Sequence, residues 1–125
     1  MAKRDLNRIR DILLHLEGQE SDDGYVWTRG DEFYVASDDY QFTLMTQAGI
    51  LSDDEYRTMA TIVPDRVMIT FQGHDYLDAI RDQGVWEKTK AAVAETGGNA
   101  TLEIVKALAL GLLKKKISQH TGIDL

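Results

Sequence analysis

Residues 69–82 read Ile-Thr-Phe-Gln-Gly-His-Asp-Tyr-Leu-Asp-Ala-Ile-Arg-Asp and hold the chain's most reactive-looking cluster. His74 and Asp75 are adjacent, and Asp78 follows one helical turn later. A histidine beside two carboxylates is the material of a metal site or an acid/base pair. On a helix, however, neighbouring side chains project about 100° apart, so this pair needs further ligands from elsewhere. Only His15 and His120 remain, one toward each end, and no HExxH-type pair is present. The absence of cysteine removes thiolate sites and disulfides. A structural reading accounts for the same residues. Thr70 ends an apolar, β-branched run, and its hydroxyl can cap a helix whose first turn is Phe71, Gln72 and Gly73. Gly73 permits close approach of a neighbouring helix, Leu77 and Ile80 point inward, and Asp78 can pair with Arg81 on the surface. His74 then packs, half-buried, against the C-terminal helices. The expectation is a protein that is not an enzyme, with no catalytic residue, metal or cofactor.

The elements that must position this stretch are legible in outline. The 125 residues, 43% hydrophobic with a single Pro, suit one compact domain. Asp5 is a plausible cap for a helix through Glu17, with Leu6, Ile9, Leu13 and Leu16 in one stripe that Ile12 widens. Gly18 breaks it. An acidic loop follows, then Tyr25 to Ser37, whose aromatic residues around Arg29-Gly30-Asp31 suggest a short hairpin or an extended segment. Ser37 or Asp38 can cap a second helix through Gln47, with Gly49 its stop. Leu44 and Met45, with Phe42 or Tyr40, face its core side. Two β-rich runs, Arg57–Val63 and Arg66–Phe71, flank Pro64-Asp65, which suits a tight type I turn. Helices are expected over 71–82, 84–95 and 101–119, and Trp27 and Trp86 are read as packing residues. This order of helix, irregular segment, helix, two-stranded hairpin and helix is that of a winged helix-turn-helix. The expected fold is therefore mainly α (α+β), with the hairpin as wing and two additional C-terminal helices. Residues 1–82 form the core and 83–125 the extension of a single domain.

Charge narrows the partners. The net charge is −7, and residues 18–40 carry one Arg against seven acids. In a helix-turn-helix protein the second helix enters the major groove. Here that helix begins Asp38-Asp39-Tyr40-Gln41, and residues 30–56 contain neither Lys nor Arg. Phosphate and base contacts depend on those cations, so DNA readout through this face is disfavoured. The same segment places Trp27, Phe33, Tyr34 and Tyr40 among its carboxylates. Trp27, Phe33, Tyr34, Asp38, Asp39, Tyr40 and Gln41 are thus the candidate residues for binding a protein partner, one that is basic or itself binds nucleic acid. The competing reading is a DNA-binding transcriptional regulator using Lys3, Arg4 and Arg8 of the first helix with Lys114, Lys115 and Lys116 near the end. The last helix is apolar nearly all round. It reads as a core helix, a homodimer seam or a membrane-surface helix, in that order. The charged N-terminus lacks a signal peptide's apolar core, and no run reaches the roughly 18 apolar residues of a membrane span. A cytoplasmic location in a bacterial host cell, away from the membrane, is expected.

Three blocks resemble a known family: Lys3-Arg4-Asp5 through Leu13, Met45 through Leu51, and Ile69 through Trp86. The Gly-His-x-aromatic-Leu-Asp-Ala-Ile-Arg core of the third is the most specific. The chain is similar to the bacterial and phage family catalogued as domain of unknown function 2513, and more distantly to YjcQ-like prophage proteins. Residues 18–40 match least, and Gln41 stands where the family often has His. The resemblance implies a winged-helix fold and a phage or prophage origin, and it implies no catalytic activity. The expected role is a non-enzymatic, regulatory or inhibitory binding module that acts through protein–protein interaction.

Overall fold

A computed structural model describes residues 3–53, 64–97 and 100–123. Among them are five helices and one three-stranded antiparallel sheet, so the protein is mainly helical with an α+β fold. The chain divides into two compact units, one up to Asp75 and one from Tyr76.

The first unit begins with α1 (Leu6–Glu17). Asp5 caps it as expected, its carboxylate accepting from the Arg8 N–H at 3.0 Å. Ile9, Ile12, Leu13 and Leu16 are fully buried, the stripe that helical spacing implies. Gly18 closes the helix. β1 (Tyr25–Trp27) follows, and residues 28–37 then run through successive turns without a helix. α2 (Asp38–Gln47) has Ser37 at its N-cap, with no bond from the Ser37 side chain. Its C-terminus is a Schellman turn. Gly49 takes φ +77°, its N–H donates to Thr46 O, and the Ile50 N–H reaches back to Met45 O at 2.9 Å. Phe42 and Met45 are fully buried, whereas Leu44 is half-buried and Tyr40 exposed. α1 packs against α2.

β2 (Leu51–Asp53) and β3 (Arg66–Ile69) complete the sheet in the order β1-β3-β2. Leu51 lies opposite Ile69 and Asp53 opposite Val67, while Tyr25 lies opposite Met68 and Trp27 opposite Arg66. Both edges of β3 are therefore occupied, and β1 adds a third strand to the anticipated hairpin. The run expected to supply the hairpin's first strand, Arg57–Val63, lies outside the described residues, whereas Pro64 and Asp65 of its proposed turn are described and buried. Val26, Leu51, Val67 and Ile69 turn inward, and α1 packs on β3.

α3 (Phe71–Ile80) starts one residue after β3, and the boundary between the two units falls within it. The second unit continues with α4 (Gln83–Glu95), capped by Asp82 through the Val85 N–H at 2.9 Å. α5 (Leu102–Thr121) is capped by Thr101 and stopped by Gly122. Trp86, Val93, Leu102, Val105 and Ala109 are buried, and α4 packs against α5. Only three of α5's 20 residues are buried, so it is not the central core helix that its composition suggested.

Candidate functional site

The histidine cluster resolves first. The Thr70 N–H donates to Ile50 O at 2.9 Å, and its hydroxyl reaches the Gly49 and Ile50 carbonyls while accepting from the Gly73 N–H at 3.0 Å. This cap pins the start of α3 to the α2–β2 turn. Gly73 is required by that approach. A Cβ there would stand 2.1 Å from Ile50 O and 2.8 Å from Ile69 Cγ2, so the close neighbour is backbone of the α2–β2 turn and not another helix. His74 Nε2 lies 3.2 Å from Glu20 Oε2 in the α1–β1 loop, with both side chains partly exposed. His74 is thus half-buried, and the partner seen for its ring is this loop carboxylate. Asp78 pairs with Arg81 at 3.0 Å, as helical spacing implies. Among the described residues, no three His, Asp or Glu side chains gather as a metal-holding group.

The start of α2, where the sequence placed most of the partner-binding residues, is largely interior. Asp38 is 0% exposed. Arg8 grips it in bidentate fashion, Nε to Oδ1 and Nη2 to Oδ2 at 2.7 Å each, and the Val35 N–H adds a third bond at 2.9 Å. Burial pushes the Asp38 carboxyl up, but the Arg8 hydrogen bonds, the Val35 N–H and the Arg8 charge together hold it below the ordinary range. The same hydrogen bonding raises the Arg8 guanidinium. Arg8 Nη2 also donates to the Phe33 carbonyl at 2.7 Å, and the guanidinium lies 4.3 Å from the Phe33 ring centroid. Phe33 stacks on His15 with centroids 3.9 Å apart, and His15 Nε2 meets Asp31 Oδ2 at 2.8 Å. That bond holds the Asp31 carboxyl below its usual range. Tyr34 packs edge-on against Phe33 and Phe42, and burial above all pushes its hydroxyl pKa well up. Gln41 is buried as well, donating to Lys3 O at 2.7 Å and accepting from the Asp5 N–H at 2.9 Å.

Tyr34, Asp38 and Gln41 therefore cannot meet a partner. A carboxylate on the inward side of a helix needs a cation and N–H donors; Asp38 finds the cation 30 residues away in Arg8 and the backbone donor three residues away in Val35. Phe33 and Asp39 are half-buried, and Tyr40 is exposed. The basic alternative loses Arg8 for the same reason, while Lys116 makes an exposed ion pair. Arg8 is committed to Asp38 and Phe33, and Lys116 Nζ meets Asp82 Oδ2 at 2.6 Å. Lys3, Arg4, Lys114, Lys115 and Lys116 are exposed.

The remaining exposed cluster is the outer face of the sheet. Strand alternation sends Val26 and Val67 inward and turns Tyr25, Trp27, Arg66 and Met68 outward. Trp27 is 66% exposed, contrary to its reading as a packing residue, while Trp86 is buried as expected. The Arg66 guanidinium sits 4.1 Å from the Tyr25 centroid and 5.4 Å from that of Trp27, bracing both rings from below. Asp23 flanks them, its carboxylate accepting from Ser21 Oγ at 2.7 Å and the Tyr25 N–H at 3.0 Å. The Ser21 bond first, then that N–H and Arg66, hold it ionised to lower pH than usual. Tyr25 and Arg66 were absent from the sequence-derived site. The period-two spacing Tyr25-x-Trp27 and Arg66-x-Met68 was the signal for them.

No solved structure matches this chain significantly. A protein of Haemophilus influenzae described as "Uncharacterized protein" is 28% identical over 117 residues, covering 93% of this chain and 99% of that protein. A family model described as "Hypothetical protein (DUF2513)" matches residues 3–99. That match covers α1, the whole sheet, the Gly73-His74 helix start and α4, and by it the chain belongs to the DUF2513 family.

Proposed function

We propose that this protein is a non-enzymatic winged-helix binding module of phage or prophage type, regulatory or inhibitory, that works by docking a protein partner on the outer face of its sheet. The observation that carries this reading is Trp27, a large apolar ring 66% exposed on a braced strand pair. Exposed tryptophan is rare on a surface that meets only water, and tryptophan is the side chain most enriched among residues that dominate interfaces. The order α1, β1, α2, β2, β3 with sheet order β1-β3-β2 supports the winged-helix assignment, with α2 in the position of the recognition helix. Asp39 and Tyr40 lie on that helix, and Glu20, Asp22 and Asp23 on the loop before β1. This negative field favours a partner with a basic segment, whose cations the carboxylates attract while Trp27 and Tyr25 supply apolar contact. Protein capture from the source cell with wild type and Trp27→Ala tests the reading. A basic protein retained by the first and lost by the second is expected, and equal capture by both would refute it.

A DNA-binding regulator is the second reading, supported by Lys3, Arg4, Lys114 and Lys115, whose side chains are solvent-accessible. Phosphate-driven binding weakens steeply as salt rises. Failure to retard any duplex at low salt eliminates it.

A further inference from the structure

We infer that α5 is a self-association surface, and that its occupant is the α5 of a second copy of this chain lying antiparallel to it. On the inner side of the helix Leu102, Val105 and Ala109 are buried. The opposite side presents Glu103, Ile104, Ala107, Gly111, Lys114 and Lys115, all exposed, with Ile104 at 50%. Ile104 and Ala107 are apolar area on this face that a partner helix would remove from water.

Charge selects the occupant. Glu103 stands in the first turn of this face, Lys114 and Lys115 about three turns later. Among the described residues none of the three has a hydrogen-bond or ion-pair partner. Two parallel copies would set like charges side by side at both ends. Two antiparallel copies that cross between Ala107 and Gly111 place Glu103 of each opposite Lys114 and Lys115 of the other, twice over by the two-fold symmetry. Gly111 is explained by the same crossing. A Cβ there would meet nothing within 4 Å, so the second unit has no need of a glycine that weakens the middle of its longest helix. At a crossing point it lets the two backbones approach. This surface is independent of the outer sheet face, and the inference stands whether or not Trp27 binds a partner.

Sedimentation equilibrium of the full chain tests it. A dimer is expected whose dissociation constant rises about tenfold or more on Glu103→Lys. The triple change Glu103→Lys, Lys114→Glu and Lys115→Glu should restore it, because it preserves complementarity with the signs exchanged. Gly111→Gln gives the sharpest reading: it should raise the thermal midpoint of the isolated chain through better helix propensity and yet weaken the dimer. All four positions are exposed, so these variants fold. A monomer at every concentration, a monomer that binds anionic phospholipid vesicles through α5 instead, or a dimer that none of these changes weakens would overturn the inference.

Discussion

The start of α2 and the outer face of the sheet are both rich in aromatic and charged residues, and they lie in opposite environments. At α2 the buried charged and amide groups are answered from within: Arg8 grips Asp38, Gln41 bridges the Lys3 and Asp5 backbone, and His15 pairs with Asp31 under the Phe33 ring. On the sheet, Trp27 has the Arg66 guanidinium against its ring and is 66% exposed. A charged residue on a helix is not thereby a binding residue. The side that the helix turns to the core decides, and that side conscripts polar groups into the fold.

Substitutions separate these roles. Asp38→Asn removes one partner of a buried, bidentate pair and should cost about 3 kcal/mol, read as a lowered urea midpoint at unchanged m-value. An effect inside the error of that measurement would mean that the pair is dispensable and α2 open to a partner. The pH dependence follows from the same pair. Asp38 and Asp31 are held below their ordinary range in the folded chain, so the unfolded chain takes up their protons first as pH falls. Stability is full above the unfolded carboxylate pKa of about 3.9 and is lost as pH drops through the lower folded values. Asp38→Asn should flatten that acid slope, which urea titrations at several pH values below neutrality would show. Gln41→Ala leaves the Asp5 N–H and the Lys3 carbonyl without their bonds and should cost about 1–2 kcal/mol. Trp27→Ala should move stability by no more than about 0.5 kcal/mol while abolishing partner capture. A cost as large as that of Asp38→Asn would show that Trp27 packs the fold and serves no partner.

Local chemistry was readable at sequence level. The Asp5 cap, the Ile9–Leu16 stripe, the Gly49 stop and the Thr70 cap each rest on residues within a turn or two of one another, where spacing and rotamer preference suffice. The sheet was harder. β3 is paired to 25–27 on one edge and 51–53 on the other, and nothing local to Arg66–Ile69 names those partners. The candidate site failed where long-range pairing intervened. Asp38 could not be known as interior without Arg8, which lies 30 residues away.

By itself, then, the sequence determined the class of the protein: an acidic, cysteine-free, mainly helical chain with a short sheet, its helices placed to within a few residues by caps and apolar periodicity. Its three family blocks were equally fixed at that level, since they are strings of residue types. Tertiary structure alone decided which carboxylates are spent inside and which aromatic rings are left outside. That division depends on burial and on pairing between distant segments, and both exist only once the chain has closed on itself. Gly73 shows the two levels meeting. Its lack of a side chain is plain in the sequence, but that the space is filled by the Ile50 carbonyl appears only when α3 is set down on the α2–β2 turn.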